Sequence, residues 1–322
     1  MKKNKITFLI AEFVLALWVV FFIKHIFAEE EPQKRVAVIV ENSGDEKWDS
    51  FINGMKQAAA TENIHLIICN TDEIENAEEE QNLIHEQFDN RVDAFIVQAA
   101  PGDDVMEMLK KVNSAKPVLL VENDVLTLDD NRVAENELAK VMPDNYDMGY
   151  QLGIDLLRRN GNDIKGKKVG IVNGLPNTDY AIKRRQGFLD ALADSGCEIC
   201  YDVYTTYDIG AAELLEQYEP VDFVAALETE SLEQLGETLS ESETTLYGIG
   251  NSIKCVYYLD EGMLESLVMI DGYDMGYNSV MEISRALENK FYTMKNHTTE
   301  TRLMHKEDIF TEENQLFLQT YD

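Results

Sequence analysis

The chain has 322 residues, enough for two domains of ordinary size that each bury a core of their own. It carries 60 acidic against 28 basic side chains, a formal charge of −32, so nucleic acid is excluded as a partner by sign alone. Its four cysteines do not make the disulfide framework of a small stapled fold.

Lys2, Lys3 and Lys5 precede an apolar stretch, Ile6–Ile23, whose only charge is Glu12. As a helix this stretch spans about 27 Å, close to the hydrocarbon thickness of a bilayer. The lysine flank keeps the N-terminus in the cytoplasm and puts the rest outside. Residues 1–28 read as a signal anchor; cleavage after Ala28, as in a signal peptide, is the alternative, because a basic start and an apolar region describe both. No Cys follows closely enough to take a lipid. Without the four lysines and one glutamate of residues 1–28 the remainder carries −35, a surplus that keeps an extracytoplasmic protein soluble and monomeric.

From Arg35 onward, short Val- and Ile-rich runs alternate with amphipathic stretches of helical length, the pattern of parallel strands buried on both faces and of βαβ units. The first cycle reads strand Val36–Val40, helix Trp48–Thr61, strand His65–Cys69, helix Glu79–Gln87, strand Ala94–Val97, helix Asp104–Ser114 and strand Val118–Val121. After a crossover near Pro143 the cycle restarts with a helix over 147–159, strand Lys168–Val172, helix Asp179–Ser195, a strand over 199–204, a helix over 210–217, strand Phe223–Ala226, a helix over 231–239 and strand Thr245–Ile249. A second crossover falls near Ile270, followed by a helix over Asp274–Asn289. Cys197 and Cys200 have CxxC spacing but run into the strand-like Tyr201–Tyr204, not into the helix that lowers a redox thiol's pKa. There is no second CxxC, the histidines lack ligand spacing, and no glycine-rich phosphate loop is present, so neither metal nor cofactor is expected.

Tyr146-Asp147-Met148-Gly149-Tyr150 recurs as Tyr273-Asp274-Met275-Gly276-Tyr277. Each copy follows a short extended run ending in Asp and opens an amphipathic helix. Two similar lobes joined by equivalent crossovers give this pattern. A chance match between two good helix starts, each with an acid near the positive end of the helix dipole, gives it too.

Several landmarks stand in order along the chain: Trp48 to Gly54 with Asn53-Gly54, Val92 to Gln98, Pro117 to Val121, Asp144-Asn145 with Gly149, Arg184 three before Gly187-Phe188, and Met275-Gly276. In these the chain from Arg35 to about Asp308 resembles the type 1 periplasmic binding proteins of the ribose- and galactose-binding kind, which also supply the effector domain of lac-repressor-like regulators. The resemblance implies an α/β protein of two doubly wound parallel-sheet lobes joined by a three-strand hinge, here preceded by an N-terminal transmembrane segment. Residues 33–142 plus 271–298 would form the N-terminal lobe, and 143–270 plus 299–322 the C-terminal lobe.

The resemblance also implies a sugar held between opposed aromatic rings, with carboxylates, amides and an arginine on its hydroxyls. Trp48 stands at the family's first-lobe aromatic and Tyr207 at its second. Arg184 matches the sugar-binding arginine, with Arg185 beside it leaving the register open by one, and Gln98 the amide after the third strand. Where the family often has Asp-Arg after the fourth strand this chain has Glu122-Asn123, Glu228 occupies an amide position, and Gly250 replaces a common Asp. Asp45, Glu122, Glu228 and Asp271 would make the cleft acidic, favouring an amino sugar or other cationic polar solute, since buried carboxylates need a positive partner or several donated bonds.

The expected function is that of an extracytoplasmic solute-binding protein for a sugar or sugar derivative, presented to an ABC permease. Action on a sensor histidine kinase, or a degenerate lobe pair that binds nothing and serves as a scaffold, are the alternatives. Glu122 and Glu228 on opposite lobes admit glycoside hydrolysis, but binding proteins use such pairs for hydrogen bonding alone, and no enzyme is expected. A transcription regulator is excluded because an apolar segment stands where a helix-turn-helix belongs.

Overall fold

Along the first strand, β1 (Lys34–Ile39), Val36 and Val38 join one core cluster while Ala37 and Ile39 join another, and all four are fully buried. A strand covered on both faces needs helices on both sides, and the protein supplies them twice over. This is seen in a computed structural model, which describes residues 13–15, 18, 33–102, 104–126 and 138–321. The apolar segment expected to cross the membrane lies almost wholly outside the described residues. Among those described, no helix is long and apolar enough to cross a membrane.

Residues 34–322 form a single compact unit. Helix α1 (Asp49–Glu62), β2 (Ile64–Ile68), α2 (Ala77–Asp89), β3 (Ala94–Val97), α3 (Val105–Asn113), β4 (Val118–Val121) and β5 (Ala139–Pro143) complete the first run. A second follows: α4 (Asn145–Arg159), β6 (Lys168–Asn173), α5 (Asp179–Leu192), β7 (Glu198–Tyr204), α6 (Ala211–Leu215), β8 (Phe223–Ala226), α7 (Thr229–Thr238), β9 (Thr245–Ile249), α8 (Ile253–Glu261) and β10 (Ser266–Ile270). The chain closes with α9 (Gly272–Glu288), β11 (His297–Thr299), β12 (Thr301–Met304) and α10 (Glu312–Leu318).

The strands form two six-stranded sheets of matching order, β11-β5-β4-β3-β1-β2 and β12-β10-β9-β8-β6-β7. Among the described residues all strand pairings are parallel except that of β12 with β10. The chain passes between sheets after β5, after β10, and across the single residue Glu300 between β11 and β12.

The expected strands and helices are present with ends shifted by a few residues, but α8, β11, β12 and α10 were not anticipated. Helix ends moved where side chains cap: Asn76 accepts from the Glu78 and Glu79 amides, which starts α2 two residues before Glu79.

Both copies of the Tyr-Asp-Met-Gly-Tyr repeat open a crossover helix, capped alike: Asp144 accepts from the Asp147 amide and Asp271 from the Asp274 amide. Each helix leaves one sheet and packs on the first helix of the other, α4 on α5 and α9 on α1. The contacts are close enough to exclude a side chain. A Cβ on Gly149 would lie 1.9 Å from the Arg184 carbonyl oxygen, and one on Gly276 would lie 2.0 Å from that of Phe51. In return, Gly187 meets the Tyr146 carbonyl and Gly54 that of Tyr273. The repeat is therefore a packing motif, with Gly in each helix because backbone meets backbone.

Candidate ligand-binding site

The carboxyl ends of the parallel strands in both sheets face a common cleft, where open α/β sheets bind ligands. Glu41 follows β1, Gln98 follows β3, and Glu122 and Asn123 follow β4. From the second sheet come Tyr180 and Arg184 at the start of α5, Tyr207 after β7 and Glu228 after β8.

These side chains hold one another. The Gln98 amide donates to Glu122 at 2.7 Å and accepts from the Glu41 backbone N–H at 2.9 Å. Glu122 adopts the left-handed backbone region at φ 64°, uncommon outside glycine, and the Asn145 amide group donates to its carbonyl at 3.0 Å. Asn145 in turn accepts from Arg184 Nε at 2.8 Å, while Arg184 Nη1 donates to the Leu227 carbonyl at 3.1 Å and its guanidinium lies 5.0 Å over the Tyr180 ring. A chain of bonds thus runs from the second lobe through the start of a crossover helix to the first.

Burial raises the pKa of Glu122, with Lys47 and Arg184 acting against it, and burial lowers that of Arg184. For Lys47, burial pulls downward but Glu41, Glu122, Glu228 and Asp45 more than offset it, and the ammonium is held firmly charged. Its Nζ lies 3.4 Å from Glu41.

Two contacts close the lobes over this core: the Tyr207 hydroxyl donates to the Ile74 carbonyl at 3.2 Å, and the Asn251 amide group donates to the Lys47 carbonyl at 3.4 Å. Between them lies a cavity of about 50 Å³ bordered by Glu41, Lys47, Tyr180, Tyr207 and Glu228, with a second of about 10 Å³ beside Gln98, Asn123 and Tyr180. Spaces of this size have room for a few waters at most; a pyranose needs the lobes to part.

The sequence-derived residues divide. Gln98, Glu122, Asn123, Arg184, Tyr207 and Glu228 are brought together at the cleft. Glu228 spends its carboxylate on the α7 amides of Glu230 and Ser231, as a helix cap. Trp48 is a core residue only 2% exposed, packed 5.5 Å from Phe51 with its indole N–H on the Glu41 carbonyl, and so offers the cleft no open ring face. Asp45 lies at the outer mouth with Glu46, Glu230 and Glu233. Asp271 caps α9 and borders a depression with Tyr273, Tyr277 and Phe317, away from the other acids.

Glu41, Lys47 and Tyr180 were missed. Lys47 removes the reason for expecting a cationic ligand, because the acids already have a positive partner. A signal was present on the helices that the repeats pack against: Lys47 stands seven residues before Gly54 and Tyr180 seven before Gly187.

A family model described as periplasmic binding protein domain matches residues 36–291. No curated protein matches the chain. Among solved structures, a carbohydrate transporter solute binding protein from Agrobacterium radiobacter in complex with D-arabinose superposes with TM-score 0.76 at 15% identity, covering 89% of this chain and 99% of that one. A glucose-galactose binding protein from Geobacillus stearothermophilus gives 0.73 at 20% identity, covering 87% and 100%. An ABC transporter solute binding protein from Agrobacterium vitis bound with α-D-tagatopyranose gives 0.76 at 16%, covering 88% and 99%. At these identities the likeness shows the fold.

Proposed function

The chain belongs to the family of periplasmic binding protein domains, whose members bind solutes and are not enzymes, and on that premise we propose that it binds a neutral sugar or sugar derivative between its lobes and presents it to an ABC permease. One observation carries the reading. Arg184 Nη2 and Asn123 Oδ1, a donor and an acceptor from opposite sides of the cleft, are buried without a hydrogen-bond partner among the described residues. Unpaired buried polar groups are costly, and a hydroxyl, which both donates and accepts, satisfies either. The matched structures whose descriptions name a monosaccharide support the same class of ligand.

The lobes in this reading are 33–142 plus 271–298 and 143–270 plus 299–322, and they part by bending at the three crossovers. Residues 1–28 tether the binding unit to the outer face of the cytoplasmic membrane, supported by the spanning length of Ile6–Ile23 and the lysines ahead of it. The chain acts as a monomer. A tethered receptor also suits a sensor kinase as partner, and that second reading rests on the apolar segment alone.

Thermal unfolding of the full chain with a panel of neutral pentoses and hexoses tests the site. A ligand at 100 times its Kd stabilises by about 2.7 kcal/mol. The reading fails if no member of the panel raises the Tm.

A further inference from the structure

Lys47 is in an unusual place for a lysine. Its side chain is 18% exposed, its neighbours Asp45 and Glu46 are exposed, and its ammonium reaches inward to Glu41 at 3.4 Å. It borders the central cavity together with Glu41, Tyr180 and Glu228, and it also borders the outer basin beside Asp45 and Glu230. Glu41 pairs directly with this ammonium, and the charges of Glu122 and Asp45 from the first lobe and Glu228 from the second favour it at longer range. An aliphatic stem lies between that ammonium and the backbone, with the Trp48 ring centroid 5.3 Å from the nitrogen. Here a cation actually sits among the acids, which distinguishes the arrangement from a mere cluster of carboxylates.

We propose that the Lys47 ammonium fills a cation subsite at the wall of the ligand cleft, and that by filling it this lysine is the residue that excludes cationic solutes and restricts the cleft to neutral ones. The inference rests on reading the cleft as a solute site. Electrostatics supplies its direction: with Lys47 and Arg184 in place, an incoming ammonium finds Glu41 already paired and meets two like charges, while Glu73 and Glu230 at the cavity rim are exposed and screened by water. Remove the lysine stem back to Cβ and Glu41 loses its cationic partner beside a space that fits a small primary ammonium.

Chemical rescue tests this without any sugar. The full chain carrying Lys47→Ala is unfolded thermally in ethylammonium chloride and in sodium chloride of equal ionic strength. Ethylammonium should restore most of the lost Tm of Lys47→Ala, sodium should not, and wild type should respond to both salts alike. Lys47→Met, which occupies the stem's space without the charge, should not distinguish the salts. The proposal is overturned if ethylammonium and sodium act alike on Lys47→Ala, or if ethylammonium favours wild type or Lys47→Met as strongly.

A measurement on wild type keeps the idea testable even if Lys47→Ala does not fold. Acetic anhydride should acetylate the exposed Lys56 and Lys111 well before Lys47, and Lys47 reacting as fast as they do overturns the proposal. Binding of D-glucose and D-glucosamine to wild type and to Lys47→Ala then separates the two readings. A shift of preference toward the amine in the variant supports the inference, and an unchanged preference overturns it. Ethylammonium rescue with no sugar bound by either protein sinks the sugar reading and leaves the cation subsite standing.

Discussion

The first lobe packs α1 against α9, and the second packs α5 against α4, on the same plan. Each pairs a capping Asp, a buried Met and reciprocal glycines, and each ends in a stacked tyrosine pair, Tyr146 with Tyr150 and Tyr273 with Tyr277. Across the cleft the two lobes differ. Lys47 and Tyr180 hold equivalent places, as do Phe51 and Arg184, so one lobe contributes a cation among acids and the other an aromatic ring under a guanidinium. Helices that touch backbone to backbone leave no room for variation, whereas strand-end loops facing a cleft are free to take up different chemistry.

Likeness at the helix pairs is broken most severely at the glycines. Gly54→Ala and Gly187→Ala each drive a Cβ to about 2 Å from a carbonyl oxygen of the partner helix, 2.1 Å and 2.0 Å in turn, and backbone cannot swing aside. Each should cost about 3 kcal/mol in denaturant unfolding. If one substitution is harmless and the other ruinous, the two packings are not equivalent.

Glu80 sharpens an asymmetry. It is fully buried on α2, where one carboxylate oxygen accepts from the Ala100 amide at 3.3 Å and the other has no partner among the described residues, whereas α6, at the corresponding place in the second lobe, buries only Ala211. Burial pushes its pKa from 4.5 up to about 8. A raised folded value means that its contribution is fully present below about pH 4.5 and is lost as pH rises through about 8. Glu80→Gln, which keeps the acceptor but cannot ionise, should be more stable than wild type by roughly 3 kcal/mol at pH 9 and level with it at pH 4. Parallel pH profiles for the two proteins would remove Glu80 as a titrating group.

The smallest expected effect concerns a likeness that extends past the repeated pentapeptide. Asp155 and Glu282, each nine residues after the first tyrosine of its copy, are buried acids on the crossover helices. Asp155 pairs with His305 at 3.0 Å and Glu282 with His297 at 3.1 Å, so the two ends of the third crossover are pinned alike. Desolvation lowers the pKa of His305, but bonds to Asp155 and Asp308 outweigh it and the value is raised above 6.5. Its contribution is complete below pH 6.5 and fades as pH rises through the folded value. His305→Gln should cost about 1 kcal/mol at pH 6 and less at pH 9. Equal cost at both pH values would show that the imidazolium charge is not what holds the joint.

Strands buried on both faces were legible as continuous apolar runs, which is why β1, β3, β4, β6, β8 and β9 stood out. β11 and β12 were not, because His-Thr-Thr and Thr-Arg-Leu-Met are too short and polar to carry a period. At the site, the family resemblance, applied to residues that follow strands, placed Gln98, Glu122, Asn123, Tyr207 and Glu228 at the cleft. Direction was not: neighbouring residues in a turn point opposite ways, and Trp48 went to the core while Lys47 went to the cleft. Whether a carboxylate is free is harder to read: Asp271 already stood at a helix start in the repeat, but nothing marked Glu228 as the cap of α7.

The exchange of crossover helices has a consequence for how the protein is made. The surface of α1 is completed by α9, more than two hundred residues later in the chain, while every element from α4 to β10 that builds the second lobe is synthesised in between. Most of the second lobe can therefore begin to pack while the first still waits for its last helix, although the second lobe's own edge strand β12 and helix α10 come later still. Contacts of such separation form slowly because the intervening loop must close first. During that interval Phe51 and Met55 can rest on the first sheet, but the face of α1 around Gly54 and the Phe51 carbonyl lacks its native partner until α9 arrives.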